Sequence, residues 1–195
     1  MRLLKGNQEE RLVERLRSGD SGAMRDFYSL YGGSLAKICG RYVTDGEDMK
    51  DVFQNVLIRI FSRIGDFTWR GPGSLLAWAA KITVNESLDY LKERKRQELV
   101  PLARDIPDEA EADGTGTDDP DVGTLPPEVF YRMVQELPTG YRTVFNLYVF
   151  EEKSHREIAA LLGIRKDTSA SQFHRAKKLL AQKIRAYYDS QKDPR

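Results

Sequence analysis

Residues 154–180 read SHREIAALLGIRKDTSASQFHRAKKLL, and they carry the sharpest structural signal of the chain. Ser154 followed three residues on by Glu157 is a capping box, in which each side chain satisfies an amide left unpaired at a helix start. Ile158, Ala159 and Leu162 then recur at helical spacing and supply a buried face. Gly163 supplies a tight turn, and Ile164 plugs the core as a second helix begins. The small residue at Ala159 lets the two helices cross closely. This is the pattern of a helix-turn-helix, whose second helix offers its N-terminal turns to base edges in a major groove. Arg165, Lys166, His174, Arg175, Lys177 and Lys178 give that helix a basic flank suited to phosphates. The competing reading is a plain helical hairpin with a solvated, charged face.

Outward from this motif, helices are expected over Pro127–Leu137, Pro138–Phe150, Ser154–Leu162 and about Lys166–Tyr187. The N-terminal half is also helical. Val52, Phe53, Val56, Leu57, Ile60, Phe61 and Ile64 form one apolar face, and Leu75, Trp78, Ala79, Ile82, Leu88 and Leu91 mark a second long helix. Pro72 and Ser74, the latter as a cap, fit that helix's start. Glu9–Ser18 and Ala23–Val43 are two further candidates, and residues 65–73 form a glycine-bounded loop. No run of strand alternation appears. Between the halves lies PLARDIPDEAEADGTGTDDPDVGTLPP, which lacks apolar periodicity and reads as a flexible acidic linker. The expectation is an all-α chain: a helical domain over 1–96, the linker over 97–127, and a helix-turn-helix domain over 128–195.

Charge follows the same division. Residues 97–127 carry nine acids against one base, Arg104. Residues 1–96 hold 17 Lys+Arg and 13 Asp+Glu, and residues 128–195 hold 13 and 8. The net charge of +1 therefore hides two basic blocks around an acidic segment, an asymmetry that matters when the partner is a polyanion. Of the 195 residues, 40% are hydrophobic and 31% charged, enough for a core under a charged surface. The single cysteine, Cys39, excludes an internal disulfide or a cysteine metal cluster. No apolar run reaches membrane-spanning length, and MRLLKGNQEER turns polar too early for a secretory signal. A soluble protein of the reducing cytoplasm is expected, with no direct membrane insertion.

LPTGYRTVFNLYVFEEKSHREIAALLGI, residues 137–164, with HRAKKLL from His174, resembles region 4 of extracytoplasmic-function sigma factors of the sigma-70 family. DMKDVFQNVLIRIF, residues 48–61, resembles the region 2 helix that docks on the polymerase clamp. WRGPGSLLAWAAKITVNESLDYLKERKR, residues 69–96, resembles the loop and helix that read and open the minus-10 element. The resemblance implies core RNA polymerase as a partner, through its beta-prime clamp and beta flap, together with promoter DNA and an anti-sigma factor that would hold the protein at the inner membrane. It implies no cofactor, no metal and no catalytic residue.

Each piece suits its implied task. Asp48, Asp51, Gln54, Asn55 and Arg59 form a polar stripe able to fix register on polymerase, although any surface helix has a polar face. The family usually has an acid where Asn55 stands. Promoter opening needs somewhere for an unstacked base to sit, and Trp69 on its Gly/Pro-bounded loop offers a stacking platform unless it simply caps the core. Arg70 suits the adjacent phosphate, Asn85 a base edge, and Lys81, one turn earlier, the backbone. Arg94 and Arg96, in the basic run at the helix end, suit phosphates too. Phe67 and Trp78 read as core. For the minus-35 element, Thr168, Ser171, Gln172 and Arg175 point to the groove, with Arg156 and Lys166 on phosphates and His174 on the basic flank. Where the family often shows Gly-Thr-Val-Lys-Ser-Arg, positions 167–172 here are Asp-Thr-Ser-Ala-Ser-Gln. Gln172 can pair with adenine through both ends of its amide, which implies a different minus-35 sequence.

A plain helix-turn-helix repressor or activator would leave residues 69–96 and the clamp-like helix without a task. An enzyme has little support: there are two histidines, His155 and His174, no phosphate-binding glycine loop and no metal-ligand cluster. The linker's acids could imitate a divalent-metal site, but loose carboxylates are usually solvated. A protein–protein adaptor would not need base-reading residues.

Overall fold

The computed structural model describes residues 6–97 and 125–192. The acidic segment at 98–124 lies outside these, as does the side chain of Arg96. Among the described residues there are eight α-helices, one short 3₁₀ turn and no strand, so the all-α expectation holds. The chain divides into two compact units, Met1–Gln97 and Glu98–Arg195.

The first unit is built from α1 (Gly6–Arg17), α2 (Ser21–Tyr42), α3 (Gly46–Ser62), the 3₁₀ turn Ile64–Asp66 and α4 (Ser74–Gln97). Two helices start on aspartate caps. Asp20 accepts from the amide of Gly22 at 2.7 Å, and Asp45 from those of Glu47 and Asp48, both at 3.0 Å. α4 packs along α2 and α3, while α1 lies against α2 and the 3₁₀ turn. Phe27 sits at the centre, fully buried, with Tyr31 and Phe61 edge-on at centroid distances of 5.3 and 5.5 Å. Leu12, Leu16, Leu35, Val56, Ile60, Leu75 and Ala79 complete that core from all four helices.

The second unit contains α5 (Pro127–Gln135), α6 (Thr139–Val149), α7 (His155–Leu162) and α8 (Lys166–Lys192). α8 packs against α5, α6 and α7, and its stripe of Ala176, Leu180 and Ile184 shares a core with Met133, Val134, Leu137 and Phe145. Arg142 is buried inside α6 and closes the end of α5, donating to the carbonyls of Gln135 at 3.0 Å and Leu137 at 2.8 Å. Helix ends leave such carbonyls without partners, so a buried guanidinium here completes the backbone rather than facing a ligand. Burial pulls the pKa of Arg142 down from its ordinary value.

Candidate nucleic-acid interface

In the second unit the helix-turn-helix forms for local reasons. Ser154 Oγ accepts from the Glu157 amide at 3.3 Å, and Glu157 accepts from the Ser154 amide at 2.8 Å, so the capping box closes in both directions. Gly163 ends α7 with φ of 66°, a left-handed conformation glycine adopts without steric cost. His155 stacks on Tyr148 at 4.7 Å, and its Nδ1 lies 3.0 Å from the hydroxyl of fully buried Ser169. That contact ties the first turn of α7 to the first turn of α8.

α8 sorts its residues by register. Ser169, Gln172, Ala176, Leu180 and Ile184 run inward at steps of three and four, whereas Asp167, Ser171, His174 and Lys178 run outward. Lys166 and Lys177 of α8 and Arg156 of α7 are exposed as well, and Thr168 is half-buried. Two expected groove residues therefore change place. Gln172 is 9% exposed, on the same side of α8 as Ala176, Leu180 and Ile184. Arg175 is half-buried, with Nη1 3.5 Å from the Tyr141 hydroxyl. The periodicity of Ala176, Leu180 and Ile184, extended one turn back, already assigns Gln172 inward. Ser171 stays exposed, although its hydroxyl also bonds the carbonyls of Asp167 and Thr168.

In the first unit, Asn85 and Lys81 are both exposed, one turn apart on the same face of α4. The loop before α4 places Arg70 in solvent and leaves Trp69 half-buried against the core, with Nε1 buried and without a hydrogen-bond partner among the described residues. Phe67 and Trp78 pair within the core at 5.2 Å. Ser74, expected as a cap, is instead the first residue of α4, and its hydroxyl accepts from the Arg70 amide at 3.2 Å. The loop is thus tied to the helix it precedes.

On α3, Asp51, Gln54, Asn55 and Arg59 are exposed, with Asp48 half-buried. Ile58 stands among them at 59% exposure, an apolar residue that the polar-stripe reading passed over and that falls out of register with the buried face. One contact, between Arg94 and Asp48, joins residues assigned to different partners, and Arg59 reaches a residue of α4 that was assigned to none. Arg94 donates to Asp48 at 2.7 Å and to the Tyr90 hydroxyl at 2.9 Å, and Arg59 donates to Glu86 of α4 at 2.9 Å. Exposed pairs of this kind contribute about 0–1 kcal/mol each.

Residues 27–97 match the family model described as Sigma-70 region 2, and residues 128–180 match the model described as Sigma-70, region 4. Between them the two models cover more than half of the chain. The chain belongs to the sigma-70 family. RNA polymerase sigma-H factor of Pseudomonas aeruginosa is 27% identical over 187 residues, covering 91% of this chain and 94% of that one. ECF RNA polymerase sigma-E factor of Haemophilus influenzae is 29% identical over 185 residues, covering 90% and 95%. Among solved structures, the sigma factor RpoE in complex with the anti-sigma factor NepR from Bartonella quintana is 18% identical, covers 83% of this chain and 96% of that one, and gives a TM-score of 0.46. The chain is a sigma factor of the extracytoplasmic-function type, which takes part in transcription initiation by RNA polymerase. Sigma factors are initiation factors rather than catalysts. Among the described residues of this sigma factor, no three His, Cys, Asp or Glu side chains gather as a metal-binding group, and no helix is long and apolar enough to cross a membrane.

Proposed function

We propose that this sigma factor docks on core RNA polymerase through the exposed face of α3, reads the minus-35 element with α8, and holds the opened minus-10 element with the Trp69 loop and α4. The observation that carries this reading is the presence of two exposed surfaces with base-reading chemistry on one chain. One is the outward row of α8 with Ser171 and His174, alongside the exposed cations Lys166 and Lys177 of the same helix and Arg156 of α7. The other is the face of α4 that carries Lys81 and Asn85 beyond the Trp69–Arg70 loop. Cations around a row of short polar side chains suit phosphate contact beside base-edge readout. A good base-edge pair is worth about 1–3 kcal/mol of discrimination, and stacking on an aromatic face a similar amount.

Docking would use Asp48, Asp51, Gln54, Asn55 and Arg59 with Ile58 among them, an apolar centre within a polar rim. Partners on this reading are the beta-prime clamp and beta flap, promoter DNA and an anti-sigma factor, with the protein working in the cytoplasm. Transcription in vitro tests the proposal: purified protein with bacterial core polymerase on a promoter library, core alone as control. Specific start sites that need both components are expected. Sequence-selective DNA binding without initiation would make the chain a repressor or activator instead.

A further inference from the structure

We propose that Glu9 and Arg17 of α1 are positioning residues that brace the Trp69 loop from both ends. Glu9 is 1% exposed, and one carboxylate oxygen accepts from the amide of Gly73 at 2.8 Å. Its other oxygen accepts from the Tyr31 hydroxyl at 3.2 Å. Burial, then the adjacent Glu9 carboxylate, pushes the Tyr31 pKa up, which keeps that phenol a donor. At the loop's other end, the Arg17 guanidinium donates to the carbonyl of Phe67. Gly71 and Gly73 hold φ of 118° and 86°, so the loop's backbone takes a path that few side chains tolerate. A turn of this kind keeps one shape only where its polar groups are tied down, and a buried carboxylate on a backbone amide is among the stronger ties.

α1 precedes residue 27, where the match to region 2 begins, so this brace comes from outside the matched segment. It rests on the reading above that the loop meets opened DNA. Its consequence is that α1 fixes where Trp69 and Arg70 stand without touching DNA itself.

The test compares Glu9→Met, Glu9→Gln, Arg17→Met and Trp69→Ala in the full chain bound to core polymerase. Strand opening is read by 2-aminopurine fluorescence at minus-10, core affinity is measured separately, and exchange of the Gly73 amide is measured on the free protein. Losing a charge-assisted bond corresponds to about tenfold or more in an equilibrium constant. Glu9→Met should speed Gly73 exchange by about that factor and lower opening by about tenfold, with core affinity unchanged. Glu9→Gln keeps an oxygen acceptor for the Gly73 amide and should restore both. Arg17→Met should lower opening less. Opening lost with Trp69→Ala but intact with Glu9→Met would overturn the brace and leave the loop reading standing. Opening intact with both would sink the loop reading itself. Slowing by Glu9→Met that Glu9→Gln does not rescue, or that comes with lost core affinity, would reduce Glu9 to a folding role and overturn the proposal.

Discussion

Replacing His155 by Phe isolates one contact of the helix-turn-helix. The ring keeps its stacking on Tyr148, 4.7 Å away, and its place beside Phe173 at 5.8 Å. What disappears is the 3.0 Å contact from Nδ1 to Ser169 Oγ. Ser169 is fully buried, so its hydroxyl is left without that partner, a loss of about 1–3 kcal/mol. Rotation of the hydroxyl toward a carbonyl one turn back can recover part of this, which sets the lower end of the range. Removing both partners avoids the stranded group, so His155→Phe with Ser169→Ala should be nearly as stable as the parent. Both tryptophans, Trp69 and Trp78, lie in the first unit, which gives an internal control. In urea, the far-UV helix signal should show a second-unit component whose midpoint falls by about 1–2 M in the single variant, while tryptophan fluorescence stays in place. A single variant that unfolds like the parent, or a double variant no more stable than the single, would refute the reasoning.

The remaining expectations concern other parts of the chain. Gln172→Ala should lower second-unit stability by about 1 kcal/mol and leave promoter preference alone, whereas His174→Ala should change which bases are enriched from a promoter library. Arg142→Met strands the carbonyls of Gln135 and Leu137 and should cost about 3 kcal/mol, visible as a drop of more than about 10 °C in the second unit's melting. Cys39 is fully buried and burial pushes its thiol pKa up, so a thiol reagent at neutral pH should label it only after denaturant is added. Three carboxyls lie below their ordinary range: Asp20 beside Arg15 and the Gly22 amide, Asp45 on the amides of Asp48 and Glu47, and Glu157 on Ser154. Because their native pKa values are depressed, the stability they add is present above about pH 4 and drains as pH falls through those native values. An acid titration of helicity should flatten in Asp45→Asn.

The helices were legible because each carries a one-dimensional signal. Ser154, Glu157 and Gly163 announced α7 and its end, and the apolar steps from Val52 to Ile64 announced α3. What sequence reading missed needs three dimensions. Glu9 and Gly73 are 64 residues apart, and nothing local marks either as a partner of the other. Nothing local marks Arg142 as the residue that closes the end of α5. Gln172 is the instructive case, since a longer window places it on the same side of α8 as Ala176, Leu180 and Ile184, and it is 9% exposed. A resemblance assigned it a cation's place, and the helix register assigned it inward.

The same limit governs the charged residues, and there the structure changes the argument about function. Asp48 and Arg94 were assigned to polymerase and DNA separately, yet they pair with each other, with 36% and 47% of their side chains exposed. Arg59 likewise pairs with Glu86, two side chains from helices meant for different partners. A long exposed side chain takes whichever opposite charge lies within reach, so spacing along one helix cannot fix its partner. Such pairs are worth about 0–1 kcal/mol, far too little to hold either residue against an incoming phosphate or a polymerase side chain. They serve the free protein by keeping two opposite charges compensated while the partners are absent. On the proposed reading, docking that draws Asp48 to polymerase takes one weak pair from Arg94 and leaves its bond to the Tyr90 hydroxyl in place. Since the pair is worth at most about 1 kcal/mol, any coupling it carries between the two surfaces stays within that bound.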